Sequence, residues 1–276
     1  MRICIVNITR IPDEHMPAME DTVRKIAGRV TAPGTELFVR APKTGPTSEF
    51  EKMADFRDPY FCHLIVNQVI ETINAADEED FDAFVVNCFD DPGVRQARSF
   101  ARGLVFGICE PTFGYAAQMG GRLGGLVPSL PGQVAFVENQ VREFGLWDRF
   151  ITNGVQADEG DTAKDYGAAM GRPEIMTERL LRQSARLVDQ GAEAIVSACG
   201  GIGMLFELAN IYSLQHRGQT IPIINPLSIA VKTAENSVLF RKQLGLPIFE
   251  RNRARENTAR FRKEWNLPDH ARRPAR

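Results

Sequence analysis

No stretch of this 276-residue chain is apolar for long enough to cross a bilayer, and the opening MRICIVNITR holds an apolar run too short for a secretory leader. Neither membrane insertion nor a membrane partner is expected. Cysteine is scarce: the five residues Cys4, Cys62, Cys88, Cys109 and Cys199 lack the even count and tight spacing of a disulfide scaffold. A cytoplasmic protein with reduced thiols is the expectation. The four histidines, His15, His63, His216 and His270, form no ligand cluster, and the cysteines stand far apart, so no metal is expected. The chain has no G-x-x-x-x-G-K-[ST] phosphate loop. Gly201 and Gly203 begin a dinucleotide-like fingerprint, but Phe206 replaces its third glycine and the run lies late in the chain. No organic cofactor is therefore expected either.

Charge of one sign is also missing overall, since 33 Lys and Arg face 35 Asp and Glu. The basic residues gather after Phe249 in FERNRARENTARFRKEWNLPDHARRPAR. No aromatic-stacking motif or groove-reading module accompanies them, so nucleic acid is not expected as a partner. A solvated helix, or a segment packed on a partner subunit of a homo-oligomer, fits such a run better.

What the chain does have is alternation. Short apolar runs at 3–6, 36–39, 83–88, 105–108, 125–127, 150–152, 194–199 and 221–224 are rich in Val and Ile and bounded by turn residues. Their nearly continuous apolar character predicts parallel strands covered on both faces. Amphipathic segments lie between them. Pro173 opens one, with Ile175, Met176, Leu180, Leu187 and Val188 recurring on one face and Gly191 as the stop. Others are predicted over 63–76 and from about 228 to Gly245. Strand–helix alternation predicts an α/β fold with mostly parallel sheet. Each half ends on a strand, a cysteine, a glycine-containing turn and a helix. That order predicts two similar α/β lobes: 1–112 completed by 225–248, then 113–224, with 249–276 as a basic C-terminal extension.

The two matched positions are Cys88 in AFVVNCFDDPGV and Cys199 in AIVSACGGIGML. Ligands in such sheets bind beyond the carboxyl ends of the strands, where both cysteines fall. A thiol facing a helix N-terminus ionises more easily, and two thiols on opposite sides of a carbon acid make a deprotonation–reprotonation pair. After Cys88, Asp91 is read as an N-cap and Pro92 as a first helical residue. After Cys199, Gly200 and Gly201 let backbone N–H groups approach a ligand and hold a carboxylate or a developing enolate. The neighbouring Asp90 and Asp91 act the other way, since carboxylates raise a thiol pKa. A cysteine ending an apolar strand is more often a small core residue, and Cys4, Cys62 and Cys109 are read so. Spacing alone leaves both readings open for Cys88 and Cys199.

The motifs in their order resemble the Asp/Glu/hydantoin racemase superfamily, and most closely its hydantoin and allantoin racemase branch. MRICIVNITR is similar to that branch's MRI-x-x-x-N-P-N-T opening, with Asn7 at the first asparagine. Gly45-Pro46-Thr47-Ser48 resembles its G-P-x-S loop, and NCFDDPGVRQAR followed by GICE resembles C-F-x-D-P-G and G-I-x-E. GAEAIVSACGGIGML is similar to G-A-E-A-I-V-x-G-C-x-G-M, and IPIINPLSIAVKTAE to P-V-I-D-G-V-x-A-A-V-K. The resemblance spans about 1–245 and leaves out the arginine-rich end.

The resemblance implies two pseudo-symmetric lobes with the active site in the cleft between them, and a cofactor-independent racemase or epimerase with a small-molecule substrate, most closely a hydantoin-type or allantoin-like ureide. Cys88 and Cys199 would be its acid and base. Asn7, Ser48, Asp91, Ser129 and Asn225 would be substrate contacts, with backbone donors from Gly93, Gly200 and Gly201. Ile8, Thr9 and Arg10 depart from P-N-T, Pro128 stands where a threonine is expected, and Asn225-Pro226 replaces Asp-Gly. The thiol pair is intact, while the positions that hold substrate are rewritten. Two other readings of the scaffold are a cysteine-dependent decarboxylase or cis-trans isomerase of a dicarboxylate, and a non-catalytic ligand-binding protein.

Overall fold

The computed structural model describes residues 1–47, 57–119, 121–246 and 253–267. The first sheet is built from β1 (Arg2–Val6), β2 (Glu36–Arg40), β3 (Ala83–Val86) and β4 (Leu104–Gly107), with α1 (Met16–Ala27), α2 (Pro59–Ala76) and α3 (Val94–Ala97) as crossovers. Its order is β2-β1-β3-β4 and every pairing is parallel. α4 (Cys109–Met119) leads into the second sheet, made of β5 (Leu123–Val127), β6 (Phe150–Ala157), β7 (Ala194–Ser197), β8 (Ser213–His216) and β9 (Gln219–Ile224). Between these strands run α5 (Gln133–Glu143), α6 (Thr162–Ala169), α7 (Glu174–Asp189) and α8 (Gly200–Leu208). The order is β6-β5-β7-β9-β8. The chain then returns as α9 (Pro226–Leu244), which packs on β3, β4, α1 and α4, and closes with α10 (Arg253–Glu264).

Successive strand residues point to opposite faces, and the apolar runs use both. In the first sheet Ile3, Ile5, Ala83 and Val85 face α1 and α9, while Cys4, Val6, Phe84 and Val86 face α2 through Ile65, Val69 and Ile73. In the second, Leu126 and Ile195 meet Met176, Leu180 and Leu187 of α7, and Leu123, Val127 and Val196 meet α4 and α5. The first of these clusters is continuous from one sheet to the other. Phe113 of α4 stands at that joint, edge-on to Phe89 at 5.4 Å and to Phe150 at 6.2 Å. Such pairs add about 0.5–1.5 kcal/mol each to the burial term.

Helix ends follow their punctuation. Pro173 precedes α7, and Gly191 takes φ 103° beyond its end. Asp58 caps α2 by accepting from the Phe61 amide at 2.9 Å, so this helix starts several residues before 63. α9 starts at Pro226 and stops at Gly245, whose φ is 63°. The second sheet departs from the expected pattern in two places. β6 runs to Ala157 rather than 152, with an irregularity in its pairing to β5 and Asn153 at φ 54°. β8 was not legible at all: SLQH is polar, half-exposed and antiparallel to β9, joined through Arg217 (φ 47°) and Gly218 (φ 77°) in a tight hairpin.

The basic end is partly docked within its own chain. Arg262 of α10 donates from both terminal nitrogens to the Glu71 carboxylate of α2, each at 2.7 Å. Among the described residues no helix is long and apolar enough to cross a membrane.

Glu207 in α8 is fully buried; its carboxylate accepts from the Ser228 hydroxyl, while its second oxygen has no partner among the described residues. Burial raises this carboxyl from its ordinary 4.5 to about 7. A group that holds its proton more tightly when folded contributes stability below its unfolded pKa, and that contribution is lost as pH rises toward the folded value. Glu207→Gln removes the titration. Its stability relative to wild type is therefore expected to improve by about 2–3 kcal/mol between pH 5 and pH 8, read by urea denaturation at both. An unchanged difference would show that Glu207 does not bury a proton.

Candidate active site

A cavity of about 250 Å³ lies beyond the carboxyl ends of β1, β3, β5 and β7. Both matched cysteines line it. They arrive by the same local device. β3 ends at Val86 and β7 at Ser197, two residues before each cysteine, because the chain turns off the sheet there. The Cys88 amide donates back to Val86 O at 3.0 Å, and the Cys199 amide to Ser197 O at 2.8 Å. These tight turns carry each thiol out of the strand and into the cavity.

Beyond that turn the two settings differ. Cys199 is the N-cap residue of α8, with extended backbone and no side-chain capping hydrogen bond, and the amides of Gly201 and Ile202 in the first turn of that helix favour its thiolate. Burial raises this thiol and the Asp90 carboxylate adds to that, whereas the two amides and the Arg57 guanidinium pull it down. Cys88 has no helix at its back, because α3 begins only at Val94. Burial pushes its thiol well up and Asp90 pushes further, against one favourable contact from the Asp90 amide. The expectation that helix N-termini lower both thiols is thus corrected. Burial outweighs the amides at Cys199, and at Cys88 the helix is not there.

The loop after Cys88 is pinned from several sides. Gln140 of α5 donates to Phe89 O at 2.7 Å. Asp91, read from sequence as the cap of the next helix, instead caps α4: its carboxylate accepts from the Cys109 amide at 3.0 Å and the Glu110 amide at 3.1 Å. Asp91 adopts φ 48° to do so, and its carboxylate fills the space beside Gly107, where a Cβ would sit only 1.9 Å from it. The N-cap of α3 is Gly93, at φ 71°.

The predicted substrate contacts divide. Asn7, Gly200 and Gly201 line the cavity with the two thiols. Asn7 donates from Nδ2 to Thr9 O and Oγ1, both at 3.0 Å, which holds its amide across the end of β1. Four others do not line it. Asp91 is committed to α4, and Gly93 packs against α2 beside Val66 O. Ser129 is paired with Thr162 through both its amide and its hydroxyl, which leaves Pro128 and Leu130 as the cavity wall. Asn225 is buried, accepting from Ser197 Oγ at 2.9 Å and donating to Ile211 O at 3.1 Å. Ser48 lies outside the described residues.

The glycines of GGIG have a steric explanation. A Cβ on Gly200 would come within 3.1 Å of Asn87 Oδ1, one on Gly201 within 2.9 Å of the Tyr166 ring, and one on Gly203 within 2.5 Å of Pro226. Three elements crowd onto α8 at once, and only glycine admits them. No phosphate needs to be invoked for the pattern.

Sequence reasoning missed the residues that complete the wall. Tyr166 comes from α6 and Met170 from its C-cap, Met19 from α1 and Gln133 from the start of α5. Arg57, just ahead of α2, donates from Nη2 to Asp90 Oδ2 at 2.6 Å and to Gln133 Oε1 at 2.8 Å, and lies 3.8 Å from the Phe136 ring centroid. Nothing in the local sequence marks them. The one available signal was Asp90, a carboxylate two residues from a candidate catalytic thiol, which calls for a cation nearby. Among the described residues no group of three His, Cys, Asp or Glu is arranged to hold a metal ion.

A sequence model described as Asp/Glu/Hydantoin racemase matches residues 17–234. The chain belongs to the Asp/Glu/hydantoin racemase family. It is 29% identical over 227 residues to a hydantoin racemase from Pseudomonas sp. (strain NS671), covering 80% of this chain and 81% of that one. A hydantoin racemase from Rhizobium meliloti is 31% identical over 179 residues, 62% of this chain and 66% of its own. Among solved structures, an allantoin racemase from Klebsiella pneumoniae superposes with a TM-score of 0.67 at 25% identity, over 90% of each chain. As a member of this racemase family the chain is an isomerase, and its two mostly parallel sheets are the family's architecture.

Proposed function

We propose that this protein is a cofactor-independent racemase or epimerase of a neutral carbon acid, a hydantoin-type or allantoin-like ureide, with Cys88 and Cys199 as its acid–base pair. The observation that carries the proposal is the delivery of two thiols into one cavity, each from the end of an interior strand of its own sheet. One cysteine, as thiolate, takes the proton from the stereocentre. Charge moves onto the adjacent carbonyl oxygen, and the other cysteine, as thiol, returns a proton to the opposite face. Reversing the roles serves the other enantiomer. The amides of Gly201 and Ile202 act on the Cys199 sulfur, so they favour the thiolate rather than the enolate.

The electrostatics favour a neutral substrate over a dicarboxylate. Among the described residues lining the cavity Arg57 is the one cation, and it is already matched by Asp90. Much of the remaining wall is apolar, from Ile8, Met19, Leu130, Met170 and Met204. Two carboxylates brought there would lose hydration without gaining a free cation. The names of the relatives, hydantoin and allantoin racemase, point to the same ureide chemistry. Thiols that work as acid and base also have to stay reduced, which fits a cytoplasmic enzyme whose cysteines are all free. A homo-oligomer is part of the same proposal and is read by size-exclusion chromatography with light scattering.

The test is α-deuterium exchange in deuterated water, followed by NMR and polarimetry, on 5-substituted hydantoins, allantoin, aspartate and glutamate. Exchange with loss of optical rotation on the ureides, and none on the acidic amino acids, is expected. Carbon dioxide release from a malonate-type acid would make the protein a decarboxylase. Ligand-induced thermal stabilisation with no exchange on any compound would make it a binding protein.

A further inference from the structure

We propose that Arg57 and Asp90 form a charge pair that tunes how readily the two thiols ionise, with Arg57 a positioning residue for the Cys199 thiolate and Asp90 a carboxylate that adds to burial in keeping Cys88 protonated. This rests on Cys88 and Cys199 being the acid–base pair proposed above.

The geometry is specific. Asp90 follows Cys88 by two residues, and its side chain is held by Arg57 Nη2 at 2.6 Å. Both side chains are mostly withdrawn from solvent, 19% exposed for Arg57 and 15% for Asp90, so water screens their fields poorly. Arg57 is fixed from two further sides: Gln133 Oε1 accepts from Nε at 3.2 Å and from Nη2 at 2.8 Å, and Phe136 lies against the guanidinium. A side chain with this many rotatable bonds is ordinarily mobile, and here its position relative to the cavity is defined.

The two charges act in opposite senses. A guanidinium near a thiol favours the thiolate, and a carboxylate disfavours it. Arg57 acts on Cys199, while Asp90 acts on both cysteines and weighs most on Cys88, its close neighbour. Among the described residues, the other titratable groups facing the pair add no positive charge. Asp91 and Cys199 face Cys88, Tyr166 faces Cys199, and Cys109 and Cys62 lie behind. Glu110, beyond Cys109, bonds to Arg98. The asymmetry between a readier base at Cys199 and a retained acid at Cys88 therefore depends on one ion pair as well as on the helix N-terminus. Such an asymmetry is useful because a two-thiol enzyme needs one thiolate and one thiol at the same moment.

The experiment measures thiolate directly and uses no substrate. The full-length protein and its Arg57→Gln, Asp90→Asn and double variants are alkylated with iodoacetamide across neutral to alkaline pH. Peptide mass mapping then gives a separate rate for each cysteine. In Arg57→Gln the uncompensated Asp90 carboxylate is expected to slow Cys199 alkylation at neutral pH by about tenfold, moving its pH curve up by about one unit. In Asp90→Asn the loss of the neighbouring carboxylate is expected to speed Cys88 by about tenfold, with the curve moving down. The double variant is expected to fall within about threefold of wild type at Cys199, where both charges act, and to follow Asp90→Asn at Cys88.

Curves that overlie wild type, single variants that shift Cys199 in the same direction, or a double variant no nearer wild type than its parents at Cys199 would each overturn the proposal. Should Arg57→Gln not fold, the isosteric Asp90→Asn tests it alone, and unchanged or slower alkylation at Cys88 would overturn it. Shifted alkylation without exchange on any ureide would leave the charge pair standing and remove the two-thiol racemase. Unshifted alkylation with normal racemisation would do the reverse.

Discussion

Cys88→Ser and Cys199→Ser are each expected to lose racemisation by roughly a hundred-fold or more, the usual cost of removing a positioned acid or base. A serine hydroxyl keeps the volume but has too high a pKa to serve as a base near neutrality. The remaining thiol still reaches one face of the stereocentre. It can remove a proton and return a deuteron to that same face, so slow exchange without inversion should persist on one enantiomer. The enantiomer that exchanges should switch between the two variants.

The structure adds an inequality to this. Cys199 has two amides and Arg57 on its side, whereas Cys88 faces Asp90 and Asp91. Cys88→Ser, which keeps the readier base, is expected to retain the faster single-enantiomer exchange. Cys62 lies on α2 outside the cavity wall, so Cys62→Ser is the control that should leave turnover nearly unchanged. Chiral chromatography of substrate incubated in deuterated water, with mass detection, resolves exchange from inversion. Wild-type racemisation in either Cys88→Ser or Cys199→Ser would end the two-thiol mechanism.

Position at the end of an apolar strand made Cys88 and Cys199 visible in the sequence, because strand ends are where open α/β sheets place ligands. The strands themselves were legible for the same reason: a run such as AFVV is apolar at every residue, which only a strand buried on both faces explains well. Side-chain commitments were not legible. Asp91 sits beside Pro92 and Gly93 like a local cap, yet its carboxylate serves a helix that starts 18 residues later. Ser129 and Asn225 flank the cavity in sequence, but each is already hydrogen-bonded elsewhere. Arg57 and Tyr166 reach the wall from elements whose placement depends on tertiary packing, and neither belongs to a periodic pattern or a motif. β8 was missed because a polar hairpin edge carries no apolar alternation.

Arg179→Met is expected to cost about 3–5 kcal/mol at neutral pH, the range for stranding one member of a buried ion pair. The Asp158 side chain is completely buried, at the exit of β6. It accepts from Arg179 Nε and Nη2, each at 2.7 Å, and from the Thr162 hydroxyl at 2.8 Å. Arg179 Nη1 continues to Asp165 at 2.6 Å, and Thr162 is locked to Ser129. This network seats α6, which carries Tyr166 and Met170 to the cavity. Burial by itself would raise the Asp158 carboxyl, but Arg179 and Thr162 hold it below the usual carboxylate range. A depressed folded pKa contributes stability above the unfolded value, and that contribution is lost as pH falls through the folded one. In Arg179→Met the carboxyl has lost its cation and is expected to take up a proton on folding instead. The gap between wild type and variant should therefore be widest near pH 7 and narrow toward pH 4. The added change Asp158→Asn should recover part of the loss at pH 7 by removing the stranded charge. Urea denaturation of the three variants at both pH values reads all of this, and a loss below about 1 kcal/mol at pH 7 would show that the pair is worth no more than a surface contact. Because α6 forms one wall of the cavity, the surviving folded fraction should also show weaker substrate binding, with KM rising more than kcat falls.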